Sequence, residues 1–188
     1  MRLSVLLAAL LAVGAGSLEA QASIVLPDKP LSPELARIQD AAFVLRDSIY
    51  GATSAAARLR RDFRATSAAS LVSRAREMGR ACEAIGRNVA APRAAVHEGP
   101  GEGRFEAREQ KRLLTALDEL EGAAARCARE FGSLAREGQG EQVRGYGNRH
   151  TEAFIAEVRK YERALDGYFR TVGIPNRPRG AKPDPLAG

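Results

Sequence analysis

The stretch that most constrains the fold runs from residue 104 to residue 137, where apolar side chains recur at alternating spacings of four and three. The positions are Leu113, Leu117, Leu120, Ala124, Cys127, Phe131 and Leu134. Because this spacing averages 3.5 residues, the side chains form one stripe along a helix. A helix with such a stripe has to pack against other helices, and Gly138 is expected to end it.

A second helix is predicted from Ser32 to about residue 65. The opening Ser32-Pro33-Glu34 suits a helix N-terminus, because serine caps free N–H groups, proline fits the first position and glutamate faces the positive dipole end. The apolar stripe of this helix is Leu35, Ile38, Ala42, Leu45, Ile49, Ala52, Ala56, Leu59 and Phe63. Gly51 lies inside the stripe without changing its phase, so we expect one long helix that is bent at most near Gly51.

Another helix is expected to begin at Thr66-Ser67. Its stripe is Leu71, Ala75, Met78, Cys82, Ile85 and Val89. Pro92 disfavours helical geometry at Ala91, so the helix is expected to stop there. Residues 92–103 hold two prolines and three glycines and are predicted to form a loop.

The last helix carries a fourth stripe. Its positions are Phe154, Val158, Tyr161, Leu165, Tyr168 and Val172. Residues 138–147 contain four glycines and are predicted to be a loop, so Asn148 or Thr151 is the expected N-cap. Gly173 and Pro175 are expected to terminate the helix.

Four helices and no credible strand predict an all-α fold, an antiparallel up-down-up-down four-helix bundle with long coiled-coil-like helices. The bundle is assigned to residues 32–173. Residues 23–31 are expected to form an extended lead. The proline-rich residues 174–188 lack apolar periodicity and are expected to form a disordered tail.

Residues 1–22 have the pattern of a secretory signal peptide, with a charged start, a short apolar run and a small-residue exit. Cleavage is expected after Ala20 or Ala22, and an uncleaved N-terminal anchor is the alternative. No later segment is apolar enough to cross a bilayer. The protein is therefore expected to be exported to the periplasm or the outside.

The two cysteines are Cys82 and Cys127, each within an apolar stripe. Counted from the end of the hairpin at Ser67 and Glu137, one lies 15 and the other 10 residues in, an axial offset of about 7 Å. A small shift of register brings their Cα atoms within bridging range, whereas a chain reversal at Gly51 would separate them. We expect a structural disulfide, with two buried thiols or a redox-active pair as alternatives.

Motifs for catalysis and metal binding are lacking, so no enzyme activity, metal or cofactor is predicted. A four-helix bundle with a methionine and a histidine near one end resembles the cytochrome b562-like bundles. That resemblance implies a haem held by Met78 and His150, although in that family the methionine comes from the first helix. The alternative reading makes Met78 core filler and His150 a surface group.

The chain has a net charge of +6, and arginine greatly outnumbers lysine. Basic and acidic residues alternate along the predicted helices, which usually indicates a solvated face. Two anion sites remain as alternatives: Arg58 with Arg61 on one helix face, and Arg144 with Arg149 beside the glycine-rich loop.

These observations predict an exported helical bundle that acts as a non-catalytic interaction or structural protein of the cell envelope. The alternatives are a haem-carrying bundle and a binder of acidic polymer or lipid through an arginine-rich face. The partner is not specified by the sequence, and the expected classes are another envelope protein or an anionic surface.

Overall fold

The computed structural model describes residues 30–63, 67–137 and 140–176, which are helical apart from short connections. The helices are α1 (Pro33–Asp62), α2 (Ala68–Asn88), α3 (Ala90–His97), α4 (Arg104–Glu137) and α5 (Gly140–Val172). The four long helices run alternately up and down, which confirms the predicted four-helix bundle. α4 packs extensively on both α2 and α5, α1 packs on α2, and the short α3 contacts α1 and α4.

The expectations for residues 1–22 and for most of 23–31 lie outside the described residues. Within the described ranges, none of the helices combines the length and the apolar character that crossing a bilayer requires.

Helix α1 begins where the sequence predicts. The Ser32 Oγ accepts a hydrogen bond from the Leu35 N–H at 3.3 Å, and Pro33 stands in the first turn. The helix then passes Gly51 without interruption and ends at Asp62. The chain therefore reverses direction after residue 62 and not at Gly51, which is the topology that allows the two cysteines to meet.

The predicted loop at residues 92–103 is wrong for its first half. After a bend at Val89 the chain forms α3, and Ala91 is helical. Pro92 is tolerated because it lies in the first turn, where the N–H that proline lacks would have no acceptor within the helix. The bend separates this turn from α2, and burial of Pro92 and Val96 in the bundle stabilises the extra helix.

Helix α5 also begins earlier than the sequence predicts. It starts at Gly140 and not at Asn148 or Thr151, so the predicted loop at 138–147 is wrong from residue 140 onward. The glycines lower helix propensity there, but propensity is a weak preference that tertiary contacts override.

Two of those contacts are visible in the structure. Val143 is completely buried in the core. Gly147 lies against the end of α1, where a Cβ atom would come within 2.9 Å of the Phe63 Cζ atom. A side chain at this position would have to displace the Phe63 ring, so a residue that weakens an isolated helix permits the packing observed here.

The core consists of the four predicted stripes, and every stripe position is buried except three at helix ends. The exceptions are Leu35, Phe63 and Val172, which are half-buried and pack against the core. Alanines at several stripe positions allow close approach of the helices, while the α5 stripe supplies large aromatic side chains. The periodicity of the sequence thus identifies the buried face of each long helix.

Gly173 ends α5, as predicted. Its φ of 77° is in the left-handed region, which favours glycine. The Ile174 N–H donates to the Phe169 carbonyl at 2.8 Å, and both side chains are buried. This pattern is a Schellman motif with its hydrophobic contact, so the helix stop is fully specified.

The predicted disordered tail at 174–188 is wrong for its first three residues. Arg46 on α1 donates to the Asn176 carbonyl at 2.6 Å and to its Oδ1 at 2.8 Å. These bonds hold the chain against α1 immediately after the bundle. Residues 177–188 lie outside the described part of the chain.

Candidate functional site

Cys82 on α2 and Cys127 on α4 form a disulfide, with their Cα atoms 6.0 Å apart. Both residues are buried in the core, at 0% and 3% exposed. Of the three interpretations open from the sequence, the structure selects the paired state. The bridge joins two consecutive antiparallel helices within their apolar stripes, so it is part of the packing.

The helices approach closely on one side of this bridge, where Gly79 lies against the backbone of α4. A Cβ atom on Gly79 of α2 would lie 3.4 Å from the backbone nitrogen of Gly132 on α4. Gly79 lies one turn before the bridging Cys82. The small residues therefore set the distance between α2 and α4 at which the disulfide forms.

The proposed haem ligands lie in different surroundings. Met78 is completely buried among the core side chains. His150 is half-buried on α5, and its Nδ1 pairs with Glu130 on α4. Of the two cavities described below, neither is lined by Met78 or His150. Haem binding by this pair stays a prediction from resemblance.

Arg58, one of the predicted anion ligands, is already neutralised by a carboxylate. It hydrogen-bonds Glu77 on α2, and Arg74 bridges Glu77 at 3.0 Å to Asp62 at 2.9 Å. Burial would raise the pKa of the Glu77 carboxyl, but hydrogen bonds from Arg58 and Arg74 outweigh it and hold that pKa below its ordinary value. This network ties α1 to α2.

The other predicted anion ligands are not brought together by any contact. Arg61 and Arg149 are exposed, and the side chain of Arg144 lies outside the described part of the structure. Anion binding at these positions stays a prediction.

A different set of cations lines a groove of about 530 Å³ between α4 and α5. We call it the α4–α5 groove. Its lining residues are Arg108, Lys111, Arg112, Thr115, Ala116, Glu119, Lys160, Arg163 and Ala164. The α4 members follow one another at helical spacings, so they share one face, and the buried Ala116 and Ala164 form the floor.

The groove contains more positive charge than its acidic neighbours neutralise. Lys160 lies 2.9 Å from Glu157 and 3.7 Å from Glu119, and these carboxylates, Glu157 foremost, raise the pKa of its ammonium. Arg112 is held more loosely, at 3.7 Å from Glu109.

Three further cations in this groove have no ion-pair partner among the residues that the structure describes. They are Arg108, Lys111 and Arg163, and all three are exposed. A concave surface with unpaired cations has a positive potential that attracts anions. The groove is therefore suited to binding negatively charged groups.

A smaller groove of about 360 Å³ lies between α2 and α4, beside the disulfide. Its rim carries Arg76, Arg80 and Arg136 with one carboxylate, Glu83, and its floor is made of glycine and alanine. Like the α4–α5 groove, it has arginines around a floor of small residues.

Phe105 stands at the start of α4 with 73% of its surface exposed. It precedes Arg108 by three residues and Arg112 by seven, so all three lie on one face of the helix. An exposed aromatic side chain therefore adjoins the end of the α4–α5 groove.

Sequence reasoning missed the α4–α5 groove because its cations were interpreted as a solvated helix face. One signal was available in the antiparallel topology. Arg112 and Arg163 lie at nearly equal sequence distances from the connection between α4 and α5, and this register places them opposite one another. What the sequence does not supply is which carboxylates neutralise which cations.

In the described ranges, no group of three or more His, Cys, Asp or Glu side chains is arranged to hold a metal ion. The described residues thus provide a core disulfide and two basic grooves, one on either side of α4. A scan against protein-family models and searches of curated proteins and of solved structures found no match to this chain.

Proposed function

We propose that the protein is an exported, non-catalytic interaction protein of the cell envelope, built as a disulfide-linked helical bundle. The observation that carries the proposal is the bridge between Cys82 and Cys127. Disulfides of this structural kind persist in oxidising compartments and are rare in the cytosol. The signal-peptide pattern of residues 1–22 independently favours the same compartment.

The grooves support a binding role over a catalytic one. Apart from the Thr115 hydroxyl, their polar groups are arginine and lysine side chains with a single carboxylate in each groove, a composition that holds anions by charge. The buried hydroxyls of Thr53 and Thr151 are hydrogen-bonded to carbonyls of their own helices, so they serve the local backbone.

Expression of the full chain with its own leader in a bacterial host tests the proposal. We expect the protein in the periplasm or medium, with a mass that corresponds to cleavage after Ala20 or Ala22. Alkylation in denaturant without reductant, followed by mass spectrometry, is expected to find no free thiol at Cys82 or Cys127, because denaturation exposes both buried positions to the reagent. A cytosolic protein with two alkylated cysteines would refute the proposal.

The second candidate function, binding of acidic polymer or lipid, is favoured by the unpaired cations of the α4–α5 groove. These residues differ from the ones that the sequence suggests for the same activity. The groove also carries the inference that follows.

A further inference from the structure

We propose that the α4–α5 groove and Phe105 together form a docking surface for membranes that contain anionic phospholipids. Arg108, Lys111, Arg112 and Arg163 bind the headgroup phosphates, and Phe105 enters the boundary between headgroups and acyl chains. This inference deepens the proposed function, since it names the surface that an envelope protein of this shape recognises.

The charge of the groove favours an anionic membrane. Arg108, Lys111 and Arg163 have no carboxylate partner among the described residues, and Glu119 is engaged by Lys160. Guanidinium groups form paired hydrogen bonds with phosphate oxygens, and each cation near an anionic leaflet contributes favourably to binding. Long basic side chains extend to headgroup level while their aliphatic stems cover apolar surface.

The exposed aromatic ring of Phe105 also favours a membrane. Among the described residues the exposed large hydrophobic side chains are Phe105, at 73%, and Val44, at 55%. Val44 lies on α1, whereas Phe105 shares a helix face with Arg108 and Arg112. An aromatic ring beside cations is the arrangement by which interfacial helices attach to membranes.

The Phe105 ring distinguishes a lipid surface from a soluble polyanion or a nucleic acid. A soluble polyanion uses the cations but gains nothing from an apolar side chain at the end of the groove. Stacking on nucleic-acid bases needs aromatics placed between the cations, and none of the described lining residues is aromatic. A lipid surface uses both features at once.

The absence of tryptophan from the chain provides a direct test. A Phe105→Trp variant carries a single reporter at the docking surface, and a Val44→Trp variant carries a matched reporter on α1. Each oxidised protein is mixed with vesicles of equal parts phosphatidylglycerol and phosphatidylcholine. We expect a blue shift of the emission for Phe105→Trp only, and none for either variant with pure phosphatidylcholine.

The cations are tested by charge-matched triple variants in a vesicle co-sedimentation assay. Replacement of Arg108, Arg112 and Arg163 by glutamine is expected to weaken partitioning on the order of a hundredfold, about fivefold per arginine. The control replaces three exposed arginines outside the groove, and its loss is expected to be much smaller. These control positions are Arg60, Arg87 and Arg129. Circular dichroism verifies that both variants keep the helical fold.

Several outcomes would overturn the proposal. Equal losses in the two triple variants would mean that binding follows net charge and not this groove. A blue shift at Val44→Trp, or none at Phe105→Trp, would place the contact elsewhere. Binding to soluble heparin or polyphosphate without binding to vesicles would assign the cations to a polymer.

The vesicle assay uses purified oxidised protein, so its result does not depend on where the cell sends the chain. If the protein is periplasmic and disulfide-bonded but does not bind vesicles, the proposed docking surface is refuted and the proposed compartment stands. If the protein binds vesicles but is cytosolic and reduced in the cell, the proposed compartment is refuted and the docking surface stands.

Discussion

At the scale of single residues, the least expected feature is a buried hydroxyl. Tyr161 belongs to the α5 stripe and is 1% exposed, but its hydroxyl has no hydrogen-bond partner among the described residues. Tyr168, two turns later, donates its hydroxyl to the Pro100 carbonyl at 3.4 Å. The periodicity predicts both rings in the core, but it does not show where their polar ends point.

These phenols make the stability of the fold sensitive to alkaline pH. Burial raises the pKa of Tyr168 to about 12 and raises the pKa of Tyr161 further, in both cases above the ordinary value of 10.0. Because the folded state favours the neutral phenol, this stabilisation is complete below pH 10. It is lost as the pH rises through the folded-state pKa.

We therefore expect the free energy of unfolding to fall between about pH 10 and pH 12, measured by urea titrations followed by circular dichroism. The variant with Tyr161→Phe and Tyr168→Phe is expected to show a shallower fall, because it lacks both ionisable groups. Lysines titrate in the same range in both proteins, so the difference isolates the phenols. Identical slopes would contradict the prediction.

At the scale of helices, the packing of α2 on α4 depends on how closely their backbones approach. Beside the bridge, Gly79 lies against the backbone of α4 at Gly132, and a methyl group at Gly79 would already be at the limit of normal contact. Gly86 lies on the same helix two turns later, with no atom within 4 Å of the position of a Cβ. Two glycines of one helix are thus required to very different degrees.

Replacing Gly79 by leucine is expected to destabilise the protein by about 2–3 kcal/mol, because the side chain would press on the backbone of α4. Gly86→Ala is the matched control and is expected to stabilise by about 0.5–1 kcal/mol, the helix-propensity difference. Both changes in the free energy of unfolding are measured by urea denaturation. Tolerance of leucine at Gly79 would show that α2 and α4 are further apart than described here.

At the scale of the whole molecule, the bundle is cross-linked once between consecutive helices. The cysteines are 45 residues apart in sequence. The loop that the bridge closes contains the end of α2, all of α3 and the start of α4, so the bridge restricts a large part of the unfolded chain.

Reduction of the disulfide is expected to lower the free energy of unfolding by about 4 kcal/mol in the chain-entropy model. The measurement compares urea midpoints of the oxidised protein and of the same protein in excess reductant. Reoxidised protein serves as the control and is expected to recover the original midpoint. Equal midpoints with and without reductant would contradict the cross-link.

The sequence by itself determined which face of each long helix is buried, because apolar periodicity is a property of the chain. It also determined the ends at Ser32 and Gly173, where cap chemistry is local. Residue counting in an antiparallel hairpin allowed Cys82 to pair with Cys127 but left two buried thiols as an alternative, and the structure decided for the bridge.

Only the tertiary structure decided α3, the early start of α5 and the basic groove. At Pro92 and Gly147 local propensity opposes the observed conformation, and burial against other helices outweighs it. Arg58 and Arg163 carry the same charge in the sequence. Arg58 has a carboxylate within ion-pair distance, whereas Arg163 has none among the residues that the structure describes. Ion pairing depends on distances between helices, and these distances exist only after the stripes have packed.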